Sequence, residues 1–142
     1  MEKSIRIRWG RVILTSVGAY LVGLLFNTIV VTAYAFKLAF EARGAPDQTR
    51  ISQFAQHFST SWGMVPGLLL TFGAAVWVAR KVRLAAALHG VAVGLTVAIL
   101  GFIVGLIIDH TFSLRTLIDF AATVAAGWMG GLIGGRARED RQ

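Results

Sequence analysis

Four apolar runs, each bounded by charged or turn-forming residues, divide this chain, at about residues 12–36, 61–79, 84–108 and 116–135. Roughly 20 apolar residues cross the hydrocarbon core of a bilayer as one helix. The pattern therefore predicts an all-α membrane protein, a four-transmembrane-helix bundle that forms a single integral membrane domain over residues 1–142. The run Leu84–Ile108 carries no formal charge, and His89 is its one ring of polar character. Gly90, Gly94, Ala98, Gly101 and Gly105 recur along it at steps of three and four, which places them on one helical face. Lipid tails are as apolar as leucine, so membrane helices gain little from hydrophobicity when they pair, and they associate where small residues let backbones approach. The third helix is thus expected to be the central packing post.

The other runs repeat the pattern. Gly63 and Gly67 are four apart in the second. The fourth has two neighbouring rows, Ala122, Ala126, Gly130, Gly134 and Thr123, Gly127, Gly131, Gly135, a face that packs most simply on the third helix. The candidate packing residues are Gly63, Gly67, Gly90, Gly94, Gly101, Gly105, Gly127, Gly130, Gly131 and Gly134. A short echo, Val22-Gly23-Leu24 against Val93-Gly94-Leu95, hints at a duplicated pair of helices.

Between the first two runs, residues 37–60 read as the one substantial loop, with a turn at Arg43-Gly44-Ala45-Pro46-Asp47. Ile51, Phe54 and Phe58 then recur at helical spacing among polar residues, so a short amphipathic helix lies in this outer loop. It either caps the bundle mouth or serves as a lid or partner-docking element. Pro66 falls near the start of the second span, where a missing N–H is tolerated. Trp62 and Trp77 stand near opposite ends of that span, as an aromatic belt requires.

Charge fixes the expected orientation. Only 15% of residues are charged, against about 25% in soluble domains, and mean hydropathy is +0.67. The net charge of +7 could suggest nucleic acid, but the basic residues sit at the ends of apolar runs, so no nucleic-acid partner is expected. With the amino end inside, the inner segments hold Lys3, Arg6, Arg8, Arg11, Arg80, Lys81, Arg83, Arg136, Arg138 and Arg141. The outer ones hold Lys37, Arg43, Arg50 and Arg115. The positive-inside rule then predicts a multi-pass protein of the bacterial cytoplasmic membrane with both termini in the cytoplasm. The first run is longer than the 7–15 residues of a signal h-region, so it is read as an uncleaved helix.

Little in the sequence carries chemistry. The absence of cysteine excludes disulfides and thiolate metal sites. Asn27, Thr71, Thr96 and Thr123 form a possible polar layer at mid-depth, either hydrogen-bonding between helices or lining a pathway. Such a pathway lacks the buried carboxylate that ion coupling usually uses. His89 could ligate a haem or chlorophyll axially, yet no second histidine lies at matching depth. His57, Asp109, His110 and Asp119 gather at the outer side, with donors suited to zinc but no ligand motif. No nucleophile motif, phosphate loop or catalytic carboxylate pair is present. The expectation is a non-enzymatic protein with no cofactor, metal or catalytic residue.

Several boundary motifs resemble those of a family of small four-helix bacterial inner-membrane proteins of unassigned function. They are Ser61-Trp62, the basic turn after Ala79, the Gly-rich third span, Phe112-Ser113-Leu114, and Gly130-Gly131-Leu132-Ile133-Gly134. The resemblance covers about residues 61–135 and implies the fold alone. The expected function is an accessory or assembly subunit that packs through Gly/Ala faces in a larger or homo-oligomeric membrane complex, its partners being lipid, other membrane subunits or itself. The alternative is a small oligomeric transporter or channel built on the polar layer.

Overall fold

The computed structural model describes residues 7–82, 85–109 and 113–139, apart from the side chains of residues 60, 61, 108, 109, 138 and 139. Five helices make up the described chain: α1 (Trp9–Ala42), α2 (Gln48–Ser61), α3 (Met64–Arg80), α4 (Ala86–Asp109) and α5 (Leu114–Glu139). Three of them, α1, α4 and α5, are long and apolar enough to cross a membrane. The 17 residues of α3 reach only about 25 Å, but α2 and α3 together, bent by 46°, form a fourth candidate.

The loop expected over residues 37–60 is mostly helix. Nothing before Gly44 breaks α1, and Lys37 pairs with Glu41 one turn on, at 3.7 Å. The helix stops at Arg43, whose φ of 48° is left-handed and whose N–H reaches the Ala39 and Phe40 carbonyls. Only residues 43–47 remain as a turn. Asp47 then caps α2, its carboxylate accepting the N–H groups of Thr49 at 2.9 Å and Arg50 at 3.4 Å. The apolar side of α2 leans on α1, with Phe54 stacked on Tyr34 at a centroid separation of 3.9 Å.

Gly63 has a different role from the packing one expected of it. It lies in the bend between α2 and α3, where it and Trp62 both donate to the Phe58 carbonyl. A Cβ on Gly63 would stand 2.9 Å from the Ser59 carbonyl oxygen, so its own chain is what it must clear. Pro66 is the third residue of α3, where its missing N–H leaves no intrahelical bond unmade.

The bundle is organised around α5 rather than α4. Its two small-residue rows diverge to two partners. Gly127 and Gly131 face α4: a Cβ on Gly127 would lie 2.6 Å from the Gly90 carbonyl oxygen, and one on Gly131 would lie 2.9 Å from the Gly90 Cα. Gly90 and Gly94 return the contact, Gly94 against the Thr123 carbonyl and Val124 Cα. Gly130 and Gly134 face α3, where a Cβ would meet the Phe72 carbonyl oxygen at 2.5 Å and Ala79 Cβ at 2.7 Å.

The glycine row of α4 works over its first half only. Gly101 has the Tyr20 ring at 3.9 Å as its nearest neighbour, and Gly105 and Gly67 have nothing within 4 Å. Beyond Gly94 the row of α4 leaves the α5 seam, and Gly101 looks toward the Tyr20 ring of α1 instead. Against this trio α1 packs through Val12 and Ser16, the serine hydroxyl donating to the Val93 carbonyl at 3.3 Å. Val12 joins Ala75, Val78, Ala92 and Val93 in the buried core. Gly23, the counterpart of Gly94 in the sequence echo, meets only the Leu70 side chain at 3.6 Å, so the two halves pack at different separations.

Candidate functional site

Ser16, Tyr20, Gly23 and Asn27 recur along α1 at steps of four, three and four and so share one face. Ser16 is used in holding α4. Farther out, where α1 and α3 are spaced by side chains, this face opens on a cavity of about 210 Å³. Tyr20, Asn27, Pro66, Gly67, Thr71 and Val97 line it, with Phe58 and Ser59 of α2 above. Its walls are mainly apolar. Within them Asn27 Oδ1 is buried and has no hydrogen-bond partner among the described residues. An unmatched buried acceptor costs about 1–3 kcal/mol.

The four residues expected to make a mid-depth layer do not act together. Asn27 and Thr71 share the cavity. Thr71 donates to the Gly67 carbonyl at 2.9 Å, Thr96 to Ala92 at 2.7 Å and Thr123 to Asp119 at 2.7 Å. Each bond runs back one turn along the same helix, the usual outlet for a threonine hydroxyl whose nearest acceptor is its own i−4 carbonyl. A hydroxyl that does cross between helices is that of Ser16, one turn before the Tyr20 position. The 16/20/23/27 spacing carried the signal for both Ser16 and Tyr20.

His89 ties two helix starts together. It is 1% exposed. Its Nδ1–H donates to the Ala85 carbonyl at 3.0 Å, and its Nε2 accepts the Arg8 N–H at 3.3 Å. These bonds define the neutral Nδ1–H tautomer, with the Nε2 lone pair directed at the start of α1. A haem or chlorophyll ligand needs that lone pair, so this arrangement is one of structure. The Arg8 N–H would otherwise be an orphan donor at a helix N-terminus.

The outer acidic groups are engaged separately. Asp47 caps α2, Glu41 pairs with Lys37, and Asp119 lies 3.9 Å from Arg115. Among the described residues no three histidine, aspartate or glutamate side chains gather as a metal site. The Asp109 side chain and His110 lie outside the described residues, so that part of the expected outer cluster has no geometry here.

One exposed feature was missed by the sequence pattern because the first apolar run was ended at Phe36. Since α1 continues, Phe36 and Phe40 stand one turn apart on its outer end, 72% and 90% exposed, while Leu38 beside them is buried.

These features define an all-α protein with helices fit to cross a membrane, a glycine-sealed core and a cavity beneath α2. Comparison with known proteins returns no matching family model, curated protein or solved structure.

Proposed function

We propose that this chain is a non-enzymatic accessory or assembly subunit of a bacterial inner-membrane complex, crossing the membrane four times with both ends in the cytoplasm. The likeness to small four-helix membrane proteins, the basic bias of the inner segments and the apolar helices support that placement. The partner surface is the outer end of α1. At 34 residues, α1 is about 51 Å long, and even at a 40° tilt it spans about 39 Å against a core of about 30 Å. At that tilt Phe40 lies beyond the hydrocarbon and Phe36 at its edge, and at the average tilt of about 20° both lie outside it, with no lipid tails to cover them. Exposed aromatics of this kind are typical of the desolvated centre of a protein interface.

The test is purification of the tagged chain in mild detergent, beside a Phe36→Ser/Phe40→Ser variant. The expected result is a membrane protein at fixed stoichiometry with the wild type, lost from the variant at unchanged melting temperature. A wild-type chain that purifies alone, or a partner retained by the variant, overturns the reading.

The cavity supports a second reading, a small oligomeric transporter or channel. Its carrying observation is the unmatched Asn27 acceptor within a cavity that Tyr20 and Thr71 also line. In that case proteoliposomes should swell in a gradient of a small neutral solute such as glycerol, and Asn27→Leu should abolish the effect. Swelling equal to empty liposomes removes this alternative.

A further inference from the structure

On the face of α1 away from α4 a second concavity of about 500 Å³ runs between α1 and α3. Leu14, Gly18 and Val22 form one wall; Leu69, Gly73 and Trp77 form the other. Gly18 and Gly73 have nothing within 4 Å of where a Cβ would stand. These glycines therefore seal no seam, and their missing side chains leave a channel. The walls are almost wholly apolar, so the groove suits a hydrocarbon chain.

Both walls end in positive charge. The stripe Thr15, Gly18, Val22 is continued one turn toward the helix start by Arg11. On α3, Gly73 and Ala74 are continued seven residues on by Arg80 and Lys81. Lys81 is fixed at the groove mouth, its Nζ 4.0 Å from the centroid of the Trp77 ring. Arg8 and Arg136 belong to the same end of the bundle, since Ile7 packs against the core that holds Val78 and Gly134 approaches Ala79. The described acidic side chains, Glu41, Asp47 and Asp119, all lie at the opposite end.

Length decides what fits. From Leu14 to Val22 the groove follows α1 for about 12 Å. One leaflet of the hydrocarbon core is about 15 Å deep. The groove thus matches the depth of one leaflet, the one beside the basic cluster, and its charged mouth suits a lipid with an anionic headgroup. We propose that it is a binding site for an anionic phospholipid, one acyl chain lying over Gly18 and Gly73 and the phosphate held by Arg11, Arg80 and Lys81. The site is separate from the outer aromatic pair and stands or falls independently of it. Basic recesses between membrane helices on the cytoplasmic side are suited to anionic headgroups by the same physics.

The experiment is native mass spectrometry of the full chain after titration with dioleoyl phosphatidylglycerol or dioleoyl phosphatidylcholine. The wild type should retain one phosphatidylglycerol at least tenfold more tightly than phosphatidylcholine. Arg80→Gln/Lys81→Gln should bring the two lipids to within about threefold of each other. A Cβ on Gly73 has nothing within 4 Å and its side chain would extend into the open groove, so Gly73→Leu should lose the bound lipid at unchanged melting temperature. Gly18→Leu on the facing wall should do the same, which guards against a folding defect in either variant. Equal retention of both lipids by the wild type overturns the proposal. So does phosphatidylglycerol binding that survives both leucine variants, or a dimer that those variants dissociate in place of a lipid.

Discussion

Glycine at position 94 and glycine at position 105 are alike on a helical wheel and unlike in space. A Cβ on Gly94 would lie 2.9 Å from the Thr123 carbonyl oxygen, whereas Gly105 has open surroundings. Overpacking of a tight seam costs typically about 1–3 kcal/mol. Gly94→Ala and Gly131→Ala should each lower the melting temperature in detergent measurably, while Gly105→Ala and Gly67→Ala should leave it level or raise it slightly through helix propensity. Equal losses at all four positions would contradict the assigned seam. Backbone strain gives a second contrast. Arg43 and Ala85 hold φ of 48° and 56°, and no glycine has positive φ. A left-handed non-glycine residue costs about 1–2 kcal/mol. Arg43→Gly should therefore stabilise the end of α1 by about 1 kcal/mol, read as a raised melting midpoint. The first helix, expected to end at Phe36, runs on to Arg43, whose N–H meets the Ala39 and Phe40 carbonyls of the last turn.

Among elements, those with strong apolar length were legible: α4 and α5 begin and end within a few residues of the expected limits. The end of α1 was not, because hydropathy falls at Lys37 while helical structure persists to Ala42. Polarity marks where a helix leaves lipid, and a capping residue marks where it stops. The amphipathic spacing of Ile51, Phe54 and Phe58 did identify α2, and its N-cap can be tested. Asp47→Ala removes two accepted hydrogen bonds and should cost about 1 kcal/mol. Faster amide exchange across residues 49–54, with exchange in α5 unaltered, is the expected signature. No change in α2 would mean that its stacking on Tyr34 suffices to hold it. The bend at Gly63 escaped sequence reading for a related reason: a Gly-x-x-x-Gly spacing signals closeness, and here the close neighbour is the preceding turn of the same chain.

At the level of the whole molecule, the sequence located the small residues and left their partners open. Two adjacent rows on α5 suggested one broad face; in space they serve α3 and α4 separately. The polar layer was likewise a matter of depth alone, and depth does not say whether a hydroxyl faces its own carbonyl or a neighbouring helix. The orientation proposed from charge is directly testable. Single cysteines at Ser4, Gln48 and Gln142 in this cysteine-free chain should divide cleanly with an impermeant thiol reagent on intact cells. Gln48 should label, and Ser4 and Gln142 should label only after permeabilisation. Reversal of that pattern would invert the bundle and move the basic groove mouth to the external leaflet.

The placement of both glycine seams on α5 has a consequence for biogenesis. α3 and α4 are synthesised before α5, so the stretches it covers, around Phe72, Ala75 and Ala79 on α3 and around Gly90 and Gly94 on α4, stay open until Leu114 and the residues after it have emerged. A chain truncated before that point lacks both closures at once. Such a product is expected to be cut by proteases along both helices faster than the full chain.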